Sequence, residues 1–386
     1  MDVVQLIGGI FAFIAALGVA YNVAAAWLVL RAVAEVVDSP DRTDEPCLGV
    51  TILKPLYGDE PLLATKLASF FSQDYAGPIQ LIFGVCDADD LALEAVYAAQ
   101  HRFPHVDCAI VINAARHGSN NKLSNLINMA QQIKHPLVIV ADSDVEAPRN
   151  AVAVMAVALA DPRTGIASML HVGRGDAGFW SILAAMDISY RFMPSVIFGT
   201  KLKLAYPVLG PMMGLRRDTL DQLGGFEAFA NVLADDFELG AAVRALGLNV
   251  AVCNTYVIHG CSERSRAELV RHELRWTRTI YNIDPAGFTG SVITHVLPNA
   301  LIAACAMGFG AVALGLIFAA LAARVAVKMA MDRASNSTSG PIFLLPLRDI
   351  LSYAVYLMTF FVRTVDWRGA RFAVNSDGTI SPKRPT

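Results

Sequence analysis

Long apolar runs mark the two ends of the chain, and shorter ones alternate with polar residues in its middle. The first run, residues 6–30, is 25 residues long and is broken only by Tyr21 and Asn22. About 20 apolar residues are enough for a helix to cross the hydrocarbon of a bilayer. The run therefore predicts a transmembrane helix. A cleaved signal peptide is the alternative, but the run is too long for one and follows Asp2 rather than a basic cluster.

Two further apolar runs lie towards the C-terminus. Residues 299–323 carry no charge and predict a second span. Residues 341–362 are interrupted by Arg348 and Asp349, so a short buried helix, a re-entrant segment or an interfacial helix competes with a third crossing. Arginines follow the first span and precede the second, which by the positive-inside tendency places the middle of the chain in the cytoplasm.

The middle of the chain, residues 44–290, alternates β-rich runs with helical stretches. The runs are nearly continuous in apolar residues, as in parallel strands that are covered on both faces. We predict a doubly wound, mostly parallel α/β sheet, in which ligands bind outside the carboxyl ends of the strands. The predicted strands are 50–53, 79–85, 109–112 and 137–141, and the predicted helices are 61–73, 91–103 and 122–133.

Composition supports membrane attachment and limits the function. Hydrophobic residues make up 55% of the chain and charged residues 17%, and the mean hydropathy is +0.46, which excludes a disordered chain. The net charge of −3 offers no general attraction for nucleic acid, so no nucleic-acid partner is expected. The six cysteines form no CxxC pair, which argues against a zinc module or a disulfide framework.

Charged residues follow the predicted strands where ligands are expected. Lys54 follows the first strand, acids at 87–90 follow the second, and Asp142 and Asp144 follow the fourth. Asp often only caps a helix or turns the chain, and Asp90 has that alternative. Two carboxylates one residue apart, however, point the same way from a strand and can share a divalent cation, Mg²⁺ or Mn²⁺. We predict such a site at Asp142 and Asp144.

Two later segments carry further candidate chemistry. Asp235 and Asp236 open a helical run, where they either favour the helix dipole or provide a base for an incoming hydroxyl. His272, Arg275 and Trp276 share one face of another predicted helix. There, Arg suits phosphate oxygens and Trp a sugar ring, while a basic juxtamembrane helix is the alternative.

Taken in order, Asp90, Asp142, Asp236 and the Arg275–Trp276 pair resemble the D, D, D, (Q/R)xxRW signature of inverting family 2 and family 21 glycosyltransferases. Further segments are similar to ceramide glucosyltransferases and to bacterial hopanoid-associated glycosyltransferases, and the resemblance spans nearly the whole chain. These segments are 53–56, 70–75, 118–122, 124–128, 224–226 and 234–237.

The resemblance implies a GT-A fold and the donor side of the site. The donor is a UDP-sugar, with UDP-glucose as the leading candidate, and a divalent metal assists. The acids Asp87 and Asp90 are expected to contact the uridine part, with Lys54 and Lys122 nearby. Asp142 is expected to hold the nucleotide and metal together, helped by Asp144.

The resemblance also implies the reacting groups. Asp236 is expected to deprotonate the acceptor hydroxyl, with Asp235 beside it. Arg275 is expected to stabilise the leaving diphosphate and Trp276 to line the sugar pocket. The family has Gln or Arg where this chain has His272, which can still donate to a phosphate but whose charge varies near neutral pH.

Ceramide is the leading acceptor, and a membrane lipid of this kind could be admitted near Phe288 and residues 292–297. The expected organisation is an N-terminal anchor (1–31), a GT-A domain (44–290), membrane segments (291–362) and a cytosolic tail (363–386). We expect a multi-pass protein of a bacterial-type inner membrane with its catalytic domain in the cytoplasm.

The competing hypotheses are transfer of N-acetylglucosamine or another sugar to a hopanoid, a non-catalytic scaffold that binds nucleotide-sugars, and a metal-dependent nucleotidyltransferase or hydrolase.

Overall fold

A computed structural model describes residues 3–36, 47–362, 364–367, 370–374 and 380–382. The helices are α1 (Val3–Val36), α2 (Leu63–Phe71), α3 (Ala92–Arg102), α4 (Asn121–Ala130), α5 (Ala151–Ala160), α6 (Phe179–Asp187), α7 (Met193–Lys201), α8 (Arg217–Gln222), α9 (Asp235–Ala245), α10 (Arg266–Ile283), α11 (Pro285–Gly290), α12 (Val296–Met307), α13 (Ala311–Ser335) and α14 (Leu345–Thr359). A π-helical turn, Ile188–Phe192, joins α6 to α7, and short 3₁₀ turns lie at Phe226–Phe229, Ser291–Thr294 and Ile342–Leu344.

An eight-stranded mixed sheet forms the centre of the described structure. Its spatial order is β3-β2-β1-β4-β7-β6-β8-β5, with parallel pairing from β3 to β4 and between β6 and β8, and antiparallel pairing at β7 and β5. Its strands are β1 (Val50–Pro55), β2 (Ile79–Val85), β3 (Asp107–Ile112), β4 (Leu137–Ala141), β5 (Val145–Glu146), β6 (Thr164–Gly175), β7 (Met212–Arg216) and β8 (Asn249–Cys261).

Helices cover both faces of this sheet, as the continuous apolar strands predict. On one face, Leu67 of α2 and Val96 of α3 pack in the same buried cluster as Ile52 of β1. On the other, Leu126 of α4 and Leu239 of α9 pack with Leu53. Adjacent residues of a strand point to opposite faces, so both layers are anchored on a single strand. The predicted α/β fold class is confirmed, with four of the strands where the sequence placed them.

Among the described residues, four helical segments are long and apolar enough to cross a membrane. They are Val3–Ala32, Phe179–Lys201, Ala311–Ser335 and Ile342–Thr359, and the bent pair Pro285–Thr294 and Val296–Met307 would add a fifth. The predicted N-terminal helix is confirmed as α1. The single span predicted over 299–323 is wrong: Gly308 and Phe309 adopt left-handed φ values of 75° and 57°, so the helix ends at Met307 and α13 begins at Ala311.

The last apolar run, 341–362, contains α14. The charges that interrupt it face the protein: Arg348 is 1% exposed and ion-paired with Glu273, and Asp349 is 5% exposed and ion-paired with Arg324 of α13. Apolar side chains on the same helix, such as Leu347 and Ile350, are exposed. In the described part of the tail, β9 (Thr364–Trp367), β10 (Ala370–Val374) and β11 (Ile380–Pro382) form an antiparallel sheet.

Candidate active site

Lys122 links the end of β4 to the start of α9. Its Nζ lies 2.8 Å from Asp142 Oδ1 and 3.0 Å from Asp235 Oδ2. Lys122 stands in the first turn of α4, which Asn120 caps by accepting the N–H groups of Lys122 and Leu123. Burial alone would lower the pKa of this lysine, but the two carboxylates together raise it. Lys122 is therefore a fixed cation between two of the acids that the sequence placed in the site.

Asp236 is held by the backbone rather than by a cation. Its Oδ2 accepts the N–H of Gly210 at 3.1 Å, and its Oδ1 accepts the N–H of Phe237 at 2.8 Å. A side chain at Gly210 would place a Cβ 3.0 Å from Oδ2, so the close approach favours glycine. Burial, and then the neighbouring charge of Asp235, raise the pKa of Asp236 to about 6. This carboxylate can take up a proton near neutral pH.

Lys54 reaches the same edge from the end of β1. It is fully buried, its Nζ donates to the backbone carbonyl of Asp142 at 2.7 Å, and it lies 3.9 Å from the ring centroid of Phe70. Burial lowers its pKa to about 7, against the opposite influence of Asp144 and Asp142. Lys54 therefore positions the segment that carries the predicted metal ligands. The pKa of Lys54 depends on the charges of those ligands.

Asp144 faces a histidine that the sequence did not single out. Within the described residues its Oδ1 is buried without a hydrogen bond, and it lies 3.6 Å from Nδ1 of His259, which is buried and likewise has no hydrogen bond there. The register of the β5–β8 pair creates this contact, because Val145 lies opposite His259. A carboxylate and an imidazole that face each other without hydrogen bonds suit a divalent cation.

The pair does not by itself complete a metal site. Within the described residues, no three histidine, cysteine or acidic side chains converge in a way that could hold a metal ion. Mg²⁺ commonly binds one or two protein carboxylates and takes its other oxygens from substrate phosphates and water. The side chains of Asp142 and Asp144 fit that type of site.

Helix α10 brings Trp276 to the same edge of the sheet. The Trp276 ring centroid lies 6.0 Å from that of His259 and 4.9 Å from that of His272. His272 Nδ1 pairs with Glu263 Oε1, and burial, with the charge of Arg275, lowers the pKa of His272 in spite of this pairing. Glu263 is a second residue that the sequence did not reveal. It faces the position where the family has Gln or Arg.

The acids after β2 are engaged in local structure. Asp90 Oδ1 accepts the N–H of Ala92 at 2.9 Å at the start of α3, and it also accepts the N–H of Gly58 at 2.8 Å. Asp87 Oδ1 accepts the N–H of Asp89 at 3.0 Å. Asp90 Oδ1 thus caps the start of α3, and its contact with uridine stays a prediction. In the sheet, β2 lies two strands away from β4, which carries Asp142.

A mixed α/β sheet with carboxylates and lysines at the ends of its strands defines a ligand-binding edge of the type found in α/β enzymes. The family model described as glycosyl transferase family 21 matches residues 10–380. The chain belongs to glycosyl transferase family 21, and it is a glycosyltransferase.

Several known proteins are similar to it. Ceramide glucosyltransferase 3 of Caenorhabditis elegans is 22% identical over 355 residues, which cover 89% of this chain and 76% of that protein. Ceramide glucosyltransferase 1 of the same organism is 20% identical over 355 residues, 86% of this chain and 73% of the relative. The solved mannosyltransferase PcManGT from Pyrobaculum calidifontis, in complex with GDP-Man and Mn²⁺, is 19% identical, with a TM-score of 0.47 over 91% of this chain and 99% of that one.

Proposed function

We propose that this protein transfers one sugar from a UDP-sugar, with UDP-glucose first, to the hydroxyl of a membrane lipid, with ceramide first. The observation that carries the proposal is the arrangement of Asp236, a half-buried carboxylate with a raised pKa, next to the Asp235–Lys122–Asp142 bridge. Family 21 membership and the names of the two nematode relatives support the lipid acceptor.

On the donor side, the proposal assigns the phosphates to the edge between β4 and α10. Asp142 and Asp144 would hold a divalent cation, with His259 as a nitrogen ligand within reach of Asp144. Such an ion, when bound, neutralises charge on the diphosphate. Lys54 and Lys122 add positive charge there. Asp87 and Asp90 contact the uridine part, an assignment that rests on the family resemblance. Asp90 Oδ1 also caps the start of α3.

The reacting groups divide the work between α9 and α10. Asp236 takes the proton of the acceptor hydroxyl while the hydroxyl oxygen attacks the anomeric carbon of the sugar. The bond from that carbon to UDP breaks on the opposite face, which inverts the configuration at the anomeric carbon. Arg275 stabilises the charge on the leaving UDP, because a guanidinium matches phosphate oxygens. Trp276 lines the sugar pocket. His272 uses Nδ1 for Glu263, so only its Nε2 is available to the donor.

Attachment of the protein to a membrane is consistent with a lipid acceptor. A long-chain lipid alcohol stays in the bilayer, so an enzyme that glycosylates it has to work at the bilayer surface. The exposed apolar side chains of α1, for example Phe13 at 65% exposure, fit contact with acyl chains. We place the catalytic domain on the cytoplasmic side of a bacterial-type inner membrane, where nucleotide-sugars are available.

Sugar transfer by the purified full-length chain tests the proposal. Detergent-solubilised protein with Mg²⁺ or Mn²⁺ is given UDP-glucose, UDP-galactose or UDP-N-acetylglucosamine, each with ceramide or a hopanoid tetrol, and the lipid product is identified by mass. We expect UDP and glucosylceramide. A glycosylated hopanoid would reassign the acceptor, pyrophosphate as product would indicate a nucleotidyltransferase, and binding of UDP-sugar without UDP release would favour a scaffold.

A further inference from the structure

The loop that leaves α7, residues 201–206, is exposed throughout. Its large apolar side chains are unusually open: Leu202 is 48% exposed, Leu204 72% and Tyr206 52%. Lys201 and Lys203 alternate with them. The backbone is not loose, because the N–H groups of Leu204 and Ala205 both donate to the carbonyl of Gly199, at 2.8 and 3.2 Å. We call this segment the 201–206 loop.

Helix α7 places this loop next to the membrane-spanning part of α1. Tyr21 of α1 donates its hydroxyl to Ser195 of α7 at 2.8 Å, and its ring centroid lies 4.9 Å from that of Phe198. Tyr21 lies nine residues before Leu30, the end of the apolar run, which corresponds to about 13 Å along a helix. Helix α7 thus contacts α1 at a depth within the predicted span, and the 201–206 loop begins one helical turn after Phe198.

The other end of the loop leads directly to the proposed base. The segment continues to Gly210, whose N–H holds the Asp236 carboxylate at 3.1 Å. Arg244, on the helix that carries Asp236, donates to the backbone carbonyl of Tyr206 at 3.1 Å. Phe237, the residue after Asp236, is 39% exposed. One short segment therefore connects the membrane-facing helices to the carboxylate that would activate the acceptor.

The route near Phe288, by contrast, is closed. Phe288 is only 7% exposed and packs against the rings of Tyr281, Tyr356 and Phe360 at centroid distances of 5.7, 5.1 and 5.7 Å. An acceptor lipid that used this route would have to displace an aromatic cluster. The 201–206 loop is exposed, and the chain that follows it reaches the Asp236 carboxylate at Gly210.

We propose that the 201–206 loop is a membrane-contacting surface that sets Asp236 at the level of the lipid hydroxyl. Leu202, Leu204 and Tyr206 insert at the boundary between head groups and acyl chains, and Lys203 contacts the phosphates of anionic lipids. Apolar side chains with interleaved lysines are what such an interface favours. That the lipid presented here is the acceptor rests on the proposed function; contact with the bilayer does not.

Contact with the bilayer can be measured without any sugar transfer. The full-length chain, with the exposed Cys47, Cys86 and Cys305 changed to alanine, receives Leu204→Cys and an environment-sensitive NBD label, and is reconstituted into phosphatidylcholine vesicles with and without phosphatidylglycerol. Tyr97→Cys on α3 is the control, since Tyr97 is also an exposed position, at 52% against 72% for Leu204. We expect a blue-shifted emission, quenched at least twofold by doxyl lipids, at position 204 and not at 97. A water-like emission at 204 in both kinds of vesicle would overturn the proposal.

The consequence for the acceptor is tested with Leu204→Asp and Tyr206→Asp against Tyr97→Asp. We expect transfer to a lipid in vesicles to fall at least tenfold in the loop variants and to be unchanged in the control, with the Kd for UDP within twofold of the parent throughout. Phosphatidylglycerol in the vesicles should increase transfer by the parent chain, and Lys203→Gln should remove that increase. Normal transfer by Leu204→Asp would refute the acceptor role. If the parent chain transfers no sugar, the proposed function fails, and the NBD label still decides whether the loop contacts lipid.

Discussion

Two groups of charged side chains in this protein differ in how their charges are balanced. At the strand ends, four carboxylates face two lysines; this edge cluster consists of Asp142, Asp144, Asp235, Asp236, Lys54 and Lys122. Between α6, α10 and α14, two arginines face two carboxylates; this interior cluster consists of Arg348, Arg191, Asp187 and Glu273.

The interior cluster satisfies its own charges. Both oxygens of Glu273 accept from the guanidinium of Arg348 at 2.7 Å, and Asp187 accepts from Arg191 and lies 3.2 Å from Arg348. Among the described residues, the edge cluster leaves Asp144 Oδ1 without a hydrogen bond, and the carboxylate of Asp236 accepts backbone N–H groups. Balanced charges hold helices together, whereas the surplus of carboxylates keeps groups available for a cation and for a proton.

The largest expected effect is on catalysis by the edge cluster. Asp236→Asn removes the proposed base but keeps the size of the side chain, so we expect transfer to fall by about 10²–10⁴-fold, the usual contribution of a positioned base. UDP binding, measured by calorimetry, should change little, because Asp236 contacts only backbone N–H groups in the described structure. A parallel loss of UDP affinity would refute its role as a base.

The interior cluster should respond in stability. Arg348→Met leaves Glu273, whose side chain is 12% exposed, without its partner, and breaking a largely buried pair in this way costs about 3–5 kcal/mol of unfolding free energy. Adding Glu273→Met should restore most of the loss, because Asp187 keeps Arg191. Thermal unfolding in detergent measures both variants. If the double variant is no more stable than Arg348→Met alone, the pair is not the source of the effect.

Asp142→Asn tests whether the edge cluster differs from the interior cluster in its contribution to stability. It removes one carboxylate from a site with a surplus of them, and Lys122 retains Asp235 at 3.0 Å, so we expect no loss of thermal stability. Binding of UDP with Mn²⁺ should weaken about tenfold or more, as expected when a metal-binding carboxylate is lost. Destabilisation comparable to that of Arg348→Met, with UDP affinity intact, would contradict the distinction between the clusters.

The pattern of apolar residues along the sequence predicted most of the strands of the sheet and part of the candidate active site. Continuous apolar runs located β1, β2 and β4, and the residues at or just after their carboxyl ends include Lys54, Asp142 and Asp144, which the structure brings to one edge. It also brings Lys122 and Asp235 into contact with that edge. This succeeded because parallel strands in a sheet present their carboxyl ends together.

What the sequence did not predict depends on long-range contacts or on the backbone. His259 lies next to Asp144 because of the register between β5 and β8, and Glu273 meets Arg348 across 75 positions. No periodic pattern encodes such a partner. Hydropathy also did not detect the break after Met307, because the reversal arises from two left-handed residues inside an apolar run.

The smallest expected effect concerns the pH dependence within the edge cluster. Asp236 acts as a base only when ionised, so transfer should decline as the pH falls through its pKa of about 6. The charge of Lys122 lowers that pKa, so Lys122→Gln should raise it and shift the acidic limb of kcat to higher pH, measured at saturating UDP-sugar. Lys134→Gln, which breaks an exposed pair with Asp107, is the matched control and should leave the limb in place. An unshifted limb in Lys122→Gln would mean that the group titrating in kcat is not Asp236 beside its lysine.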